Sequence, residues 1–274
     1  MNEKKTDIII TGLPRSGTSY LCRLLHTVKD CVVINEPKAL FKRLADEYPQ
    51  QIKELHNELR QNIINNQPIE NKLHNGQVIE DTKIINQYEL YHPNVSSDNF
   101  TICTKNTLGY MARLPQLQTI LPHALFIACI RHPLDTIVSW KSTFPHLEHA
   151  TVDKFPTGNL YDPFLSSWQK QTLETIYQEE NLFKKRALLW NYLAEWLFKH
   201  KESVHILPYE NTVKNPVEML NTVFSFMSHN TITLTQPVEP SQARKNRTAL
   251  TIEEKHIIEE TCAETAAKFG YTNF

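Results

Sequence analysis

The sequence predicts an α/β chain: a P-loop-type parallel sheet flanked by helices, with helical insertions. Three observations carry this. Short apolar runs alternate with segments of helical spacing, as in a parallel sheet covered on both faces. The first run stops at a glycine-spaced loop that opens a helix. The chain has 274 residues, 41% of them hydrophobic, enough for an ordinary core in a single domain over 1–274.

Thr6 to Thr11 reads as a buried strand, because Ile8-Ile9-Ile10 is a β-branched run ending at Gly12. Leu21, Leu24, Leu25 and Val28 then recur at helical spacing, and Cys31 to Ile34 is a second short apolar run. Phe41 to Ile64 mixes many charges with a thin apolar face, which predicts a solvated and mobile helical cover. Phe100 to Thr104 and Ala124 to Ile130 are further strands, separated by a helix over Leu108 to Leu121. Pro133 to Phe144 starts a helix with proline early, where helices accept it. Helices over Pro163 to Glu179 and Phe183 to Lys199 lead to a last strand, Ser203 to Leu207. Helices over Pro216 to Met227 and Ile252 to Phe269 close the chain. Helical insertions are expected at about 37 to 75 and 144 to 180.

With 29 Lys+Arg against 30 Asp+Glu the chain has no overall basic field, which argues against a nucleic acid polymer as partner. Met1 to Asp7 carries four charged residues and no apolar leader region, and no apolar stretch reaches transmembrane length. A soluble, cytoplasmic protein is expected. Five cysteines without CxxC spacing predict reduced, buried thiols. His123, His132, His146 and His149 show no zinc-type spacing, so no metal is expected. Trp168, Trp190 and Trp196 fall at apolar helix positions and read as core, with Trp168 a candidate pocket wall.

Glycine is scarce: there are six, where average usage of about 7% would give roughly 19. Two of them, Gly12 and Gly17, bracket Leu13-Pro14-Arg15-Ser16 between the first strand and first helix. Such a loop turns backbone amides and a helix N-terminus toward an anion. The spacing fits G-x4-G-K-[ST], but Thr18 stands where the lysine would be, and the cation sits inside the loop at Arg15. An NTPase gripping a γ-phosphate and Mg²⁺ would be expected to keep that lysine.

Leu13-Pro14-Arg15-Ser16-Gly17-Thr18-Ser19 resembles the 5'-phosphosulfate loop of the sulfotransferases that use 3'-phosphoadenosine 5'-phosphosulfate (PAPS). Ile130-Arg131-His132-Pro133-Leu134-Asp135-Thr136-Ile137-Val138-Ser139, with Arg eight residues before Ser, is similar to their 3'-phosphate motif. Leu207-Pro208-Tyr209-Glu210-Asn211, Asn215-Pro216 and the ending Phe269-Gly270-Tyr271 are similar to later landmarks of the same superfamily, in the same order. The resemblance implies that Pro14, Arg15, Ser16, Gly17, Thr18 and Ser19 hold the 5' side of PAPS, and Arg131 with Ser139 the 3'-phosphate. The product would be adenosine 3',5'-bisphosphate.

Within the superfamily, cytosolic small-molecule enzymes carry Lys in the loop and use a His base. The tyrosylprotein type carries Arg in the loop and a Glu shortly after the first helix. Asn35-Glu36-Pro37 stands at that place, so Glu36 is the candidate general base, and burial is expected to raise its pKa. Lys105 matches a lysine of the tyrosylprotein type and, with Arg15, would supply positive charge to the transferring group. Tyr209 lies near the adenine or packs in the core. Of the basic cluster Arg244, Lys245 and Arg247, only Arg247 is carried over to the cofactor, because the family's usual Arg-Trp pair is missing. The acceptor would be a hydroxyl or amine of a small molecule, glycan, lipid or peptide. A P-loop nucleotide kinase and a non-catalytic nucleotide-binding protein are the rival readings.

Overall fold

The computed structural model describes residues 6–45, 50–78, 87–154, 160–227, 232–243 and 245–274. Residues 46–49 and 155–159, inside the expected insertions, and Arg244 of the basic cluster lie outside the described residues.

The chain begins with β1 (Ile8–Gly12), which leads through the glycine-bracketed loop to α1 (Thr18–His26) and β2 (Cys31–Asn35). An excursion follows, holding α2 (Lys38–Ala45), α3 (Gln50–Ile64) and two small antiparallel ribbons. In these, β3 (Ile69–Asn71) and β4 (Leu73–His74) pair with β6 (Glu89–Tyr91) and β5 (Gln77–Val78) respectively. The sheet resumes with β7 (Thr101–Lys105), then α4 (Thr107–Ala112), α5 (Leu114–Ile120), β8 (Leu125–Ile130) and α6 (Pro133–Lys141). After α7 (Pro145–Glu148), α8 (Ser167–Gln178) and α9 (Leu182–Lys199) comes β9 (His205–Pro208). The chain closes with α10 (Tyr209–Lys214), α11 (Pro216–Ser225) and α12 (Ile252–Ala267).

The central sheet has the order β2-β7-β1-β8-β9 and every pairing is parallel. Alternate residues feed two cores. Ile9, Val32, Ile34, Ile102, Phe126 and Ala128 face α3, α5, α6, α9 and α12. Ile8, Ile10, Val33, Cys103, Ile127 and Cys129 face α1 and α11. Burial on both sides explains why these strands read as unbroken apolar runs. All five cysteines are free and buried, as their spacing suggested.

The expected helix over Leu108 to Leu121 is two helices that meet at Arg113. Pro115 has no N–H to continue α4 and instead occupies the first turn of α5. The helix from Pro133 stops at Lys141 rather than Phe144, ahead of Pro145.

The mobile cover expected over Phe41 to Ile64 is corrected for its second half. Ile52, Leu55, Leu59 and Ile63 of α3 are buried in the main core. The polar side of α3 is tied down as well. His56 Nε2 lies 2.9 Å from Thr104 Oγ1, Arg60 donates to the Phe100 carbonyl at 2.8 Å, and Arg60 also pairs with Asp7. Of the polar groups that suggested a solvated face, His56 and Arg60 are therefore spent on the sheet, while Lys53, Glu54 and Glu58 stay exposed. Amides of residues 52–63 are expected to show strong hydrogen-exchange protection in the free protein, unchanged by adenosine 3',5'-bisphosphate. Fast exchange that slows on addition of nucleotide would restore the cover.

Candidate active site

Parallel pairing sets Gly12 against Cys129, Asn35 and Ile10 against Lys105, and Ile130 against Pro208. The turns leaving β1, β2, β7 and β8 thus open on one edge of the sheet, where α/β folds of this kind place their ligands. Gly12 has φ +139°, and a Cβ there would meet the Cys129 carbonyl oxygen at 2.3 Å, so the first glycine lets the loop leave beside β8. Gly17 has φ +88°, and a Cβ would meet the Tyr209 ring at 2.3 Å.

The loop ends on α1, whose N-cap Gly17 offers no side-chain cap and whose first turn holds no acid. The first N–H groups of a helix have no partner within it. Ser16 Oγ is buried without a hydrogen-bond partner among the described residues. Such a buried hydroxyl is costly unless something polar meets it. Arg15 takes the left-handed backbone, φ +65°, and its Nε donates to Ser139 Oγ at 3.1 Å. The two motifs, 124 positions apart in the chain, are therefore in contact.

Arg131 follows β8. It is 9% exposed, its Nη1 donates to the Arg15 carbonyl at 3.3 Å, and its guanidinium lies 4.8 Å from the Tyr209 ring centre. Tyr209 is thus half-buried between Gly17 and Arg131, with Tyr20 edge-on at 6.3 Å. Trp140 Nε1 donates to the Pro14 carbonyl at 2.9 Å and Trp190 Nε1 to the Arg131 carbonyl at 3.3 Å. Two buried indoles thus brace the loop and the arginine, a duty that helical spacing does not reveal. Trp168 stacks on Tyr192 and Trp196 in the α8–α9 seam, under the Lys199 ammonium.

Glu36 follows β2 in the left-handed backbone, φ +49°, with its N–H donating to the Lys105 carbonyl at 3.1 Å. Lys105 Nζ donates to Glu36 Oε1 at 2.6 Å and lies 3.4 Å from Ser19 Oγ of α1. Lys72 Nζ donates to the other oxygen, Oε2, at 2.9 Å. Burial pushes the Glu36 carboxyl up, as expected, but the Lys105 and Lys72 ammoniums outweigh it and hold the group at about 2. The expectation of a raised pKa is corrected by two cations, one of them unseen in the sequence. Lys72 sits in the short link between β3 and β4, where nothing in its local pattern marks it.

Arg247 makes a two-point pair with Asp135, Nε to Oδ1 at 3.0 Å and Nη2 to Oδ2 at 2.8 Å, which places it on the first turn of α6. The other landmarks are structural. Glu210 Oε1 accepts from the His132 N–H at 3.1 Å and Oε2 from the Tyr271 hydroxyl at 2.8 Å, so the tail is sewn to the end of β8. His132 caps α6, its Nδ1 accepting from the Leu134 N–H at 3.2 Å. Among the described residues no group of His, Cys, Asp and Glu stands ready to hold a metal ion, and no helix is long and apolar enough to cross a membrane.

Fold and site together define an α/β protein with a central parallel sheet, and a glycine-bracketed loop, two arginines and a lysine-bound carboxylate lie together where its strands end. The model of the Sulfotransferase family matches residues 7–231, and the chain belongs to that family. Among solved structures, a sulfotransferase from Alicyclobacillus acidocaldarius is similar over 96% of this chain and 94% of its own, at 15% identity and a TM-score of 0.49. No curated protein matches the chain.

Proposed function

We propose that the chain, a single domain over 1–274, is a PAPS-dependent sulfotransferase of the Arg-loop, Glu-base type. It would act on a hydroxyl or amine of a small-molecule, glycan, lipid or peptide acceptor. The observation that carries this is the Arg15–Ser139 contact, which joins the loop to the arginine motif in one continuous surface. When bound, PAPS supplies a sulfuryl group on a phosphosulfate anhydride. The residues present fit it: an uncapped helix start and a buried, unpartnered Ser16 hydroxyl suit the 5' anion. Pro14, Gly17, Thr18 and Ser19 complete that loop. Arg131 and Ser139 would take the 3'-phosphate, the guanidinium by its two-point geometry and the hydroxyl as a neutral donor. Tyr209 would wall the nucleotide side, and Arg247, paired with Asp135, would steady the helix that carries Ser139.

Chemically, the acceptor oxygen forms its bond to sulfur as the bond from sulfur to the phosphate oxygen breaks. Glu36 takes the acceptor's proton, and Lys105 and Arg15 offset charge growing on the leaving oxygen. Lys105 lies between Ser19 and Glu36, so it can turn its ammonium from the carboxylate to an anion in the loop. That move would strengthen Glu36 as a base at the moment it is needed, because the larger of its two cationic neighbours would have withdrawn.

A thermal melt separates this reading from a kinase. Adenosine 3',5'-bisphosphate at about 100 times its Kd is expected to add about 2.7 kcal/mol, several degrees in Tm, with ATP–Mg²⁺ far less effective. Equal or greater stabilisation by ATP–Mg²⁺ would overturn the donor assignment.

A further inference from the structure

Glu36 is gripped from more sides than a base alone requires. Its N–H is held by the Lys105 carbonyl, and its own carbonyl accepts from the Tyr88 hydroxyl at 3.0 Å. Lys72 reaches it through a dedicated clip. Asn71 Oδ1 accepts from the Asn35 N–H at 2.7 Å and the Lys72 N–H at 2.8 Å, while Asn71 Nδ2 donates to the Val33 carbonyl at 2.7 Å. Asn71 is fully buried. One amide side chain thus sews the start of the ribbon insertion to the last residues of β2 and aims the next residue, Lys72, at the carboxylate. A lysine whose side chain is only 9% exposed has given up most of its water for that single contact.

We propose that Lys72 is a positioning residue of sulfuryl transfer: it stays on Oε2 of Glu36 and keeps that carboxylate ionised and aimed. Oε1, the oxygen Lys105 now holds, is left to receive the acceptor's proton. The proposal rests on Glu36 being the base. The two lysines divide the work by what surrounds them. Lys105 has an alternative partner beside it, Ser19 and the loop, whereas Lys72 is fixed by Asn71 to the strand that carries Glu36. If both ammoniums left together, the buried carboxyl would take a proton from solvent and lose its function. If both stayed, it would remain too weak a base.

Among the described residues, the charged and titratable groups around this carboxylate are Lys105 from β7, Lys72 from the ribbon, Tyr88 ahead of β6 with the Lys38–Glu70 pair beside it, and Cys22 from α1. Burial, then the charges of Glu36 and Glu70, push the Tyr88 phenol up. Burial pushes the Cys22 thiol up to about 12. Neither titrates near neutrality, so a change at Glu36 in that range reads its lysines.

The test needs no known acceptor. Glutamate carboxyls are labelled with ¹³C, and the Glu36 resonance is assigned by its loss in Glu36→Gln. In the wild type Glu36 is expected to stay ionised from pH 7 down to about 4, near the ordinary glutamate range. In Lys72→Met it should titrate inside that window, at least about two units higher, while Lys72→Arg keeps it low. Adenosine 3',5'-bisphosphate should bind Lys72→Met within about twofold of wild type, since a residue acting on the base alone leaves the nucleotide side intact. Sulfate transfer from labelled PAPS to a mixture of phenols, sugars and hydroxyl peptides should fall by about tenfold or more. Should Lys72→Met not fold, Lys72→Gln carries the same comparison. An unmoved Glu36 titration in the lysine variant overturns the proposal, as does a matched loss of nucleotide binding, the sign of a merely structural lysine. If instead Glu36→Gln keeps full transfer, the base assignment itself has failed, whatever the titration shows.

Discussion

Glu36→Gln is expected to lose sulfate transfer by on the order of 10² to 10⁴ while still binding adenosine 3',5'-bisphosphate within about twofold, the signature of a missing general base. The amide keeps the size of the side chain and an oxygen to accept from one lysine, but it cannot take a proton. It also leaves two largely buried ammoniums, Lys105 at 2% and Lys72 at 9% side-chain exposure, without their shared counter-charge. Breaking a buried ion pair from one side costs about 3 to 5 kcal/mol, so a lower Tm accompanies the loss and must be measured beside it. Nucleotide affinity is what separates the two effects. A variant that melts early yet binds the bisphosphate normally and does not turn over has lost the base. Near-full turnover would move the base elsewhere, to a histidine of an insertion.

Arg131→Ala is expected to weaken adenosine 3',5'-bisphosphate by roughly 10- to 150-fold, because a charge-assisted contact contributes about 1.5 to 3 kcal/mol and each factor of ten is about 1.4. Binding of 5'-AMP, which lacks the 3'-phosphate, should change far less. The change need not be zero: Arg131 also donates to the Arg15 carbonyl, and one neutral acceptor contributes about 1 kcal/mol, or roughly fivefold. Arg15→Ala should weaken both ligands, since Arg15 belongs to the loop and reaches Ser139 as well. Calorimetric titration of both nucleotides against both variants should show a selective loss for Arg131→Ala and a loss of both ligands for Arg15→Ala. If Arg131→Ala weakens AMP as much as the bisphosphate, Arg131 braces the loop and Tyr209, and the 3'-phosphate must be read by other groups.

The residues that local chemistry constrains were legible in the chain itself. Ile8-Ile9-Ile10 and Leu125–Ile130 read as strands because a parallel strand buried on both faces tolerates nothing polar. Gly12 and Gly17 marked the loop because its backbone takes positive φ values that side chains disfavour, and their scarcity elsewhere made the pair conspicuous. Arg15 stood out as a cation inside the glycine loop, whereas Glu36, Lys105 and Arg131 were singled out by the resemblance of the segments around them, and each lies at the end of a strand or in the turn beyond it. Relations between distant segments were not legible. Lys72 lies 36 residues from Glu36 in a link beside a three-residue strand, and only the Asn71 clip makes it part of the site. The charges of α3 looked like a solvated face, because nothing in Gln50–Ile64 says that His56 and Arg60 will meet Thr104 and Asp7. The pKa of Glu36 changed direction for the same reason. Burial is a local expectation of an apolar strand end, whereas the electrostatic field at one carboxylate is the sum over every charge that tertiary folding brings within a few ångströms of it.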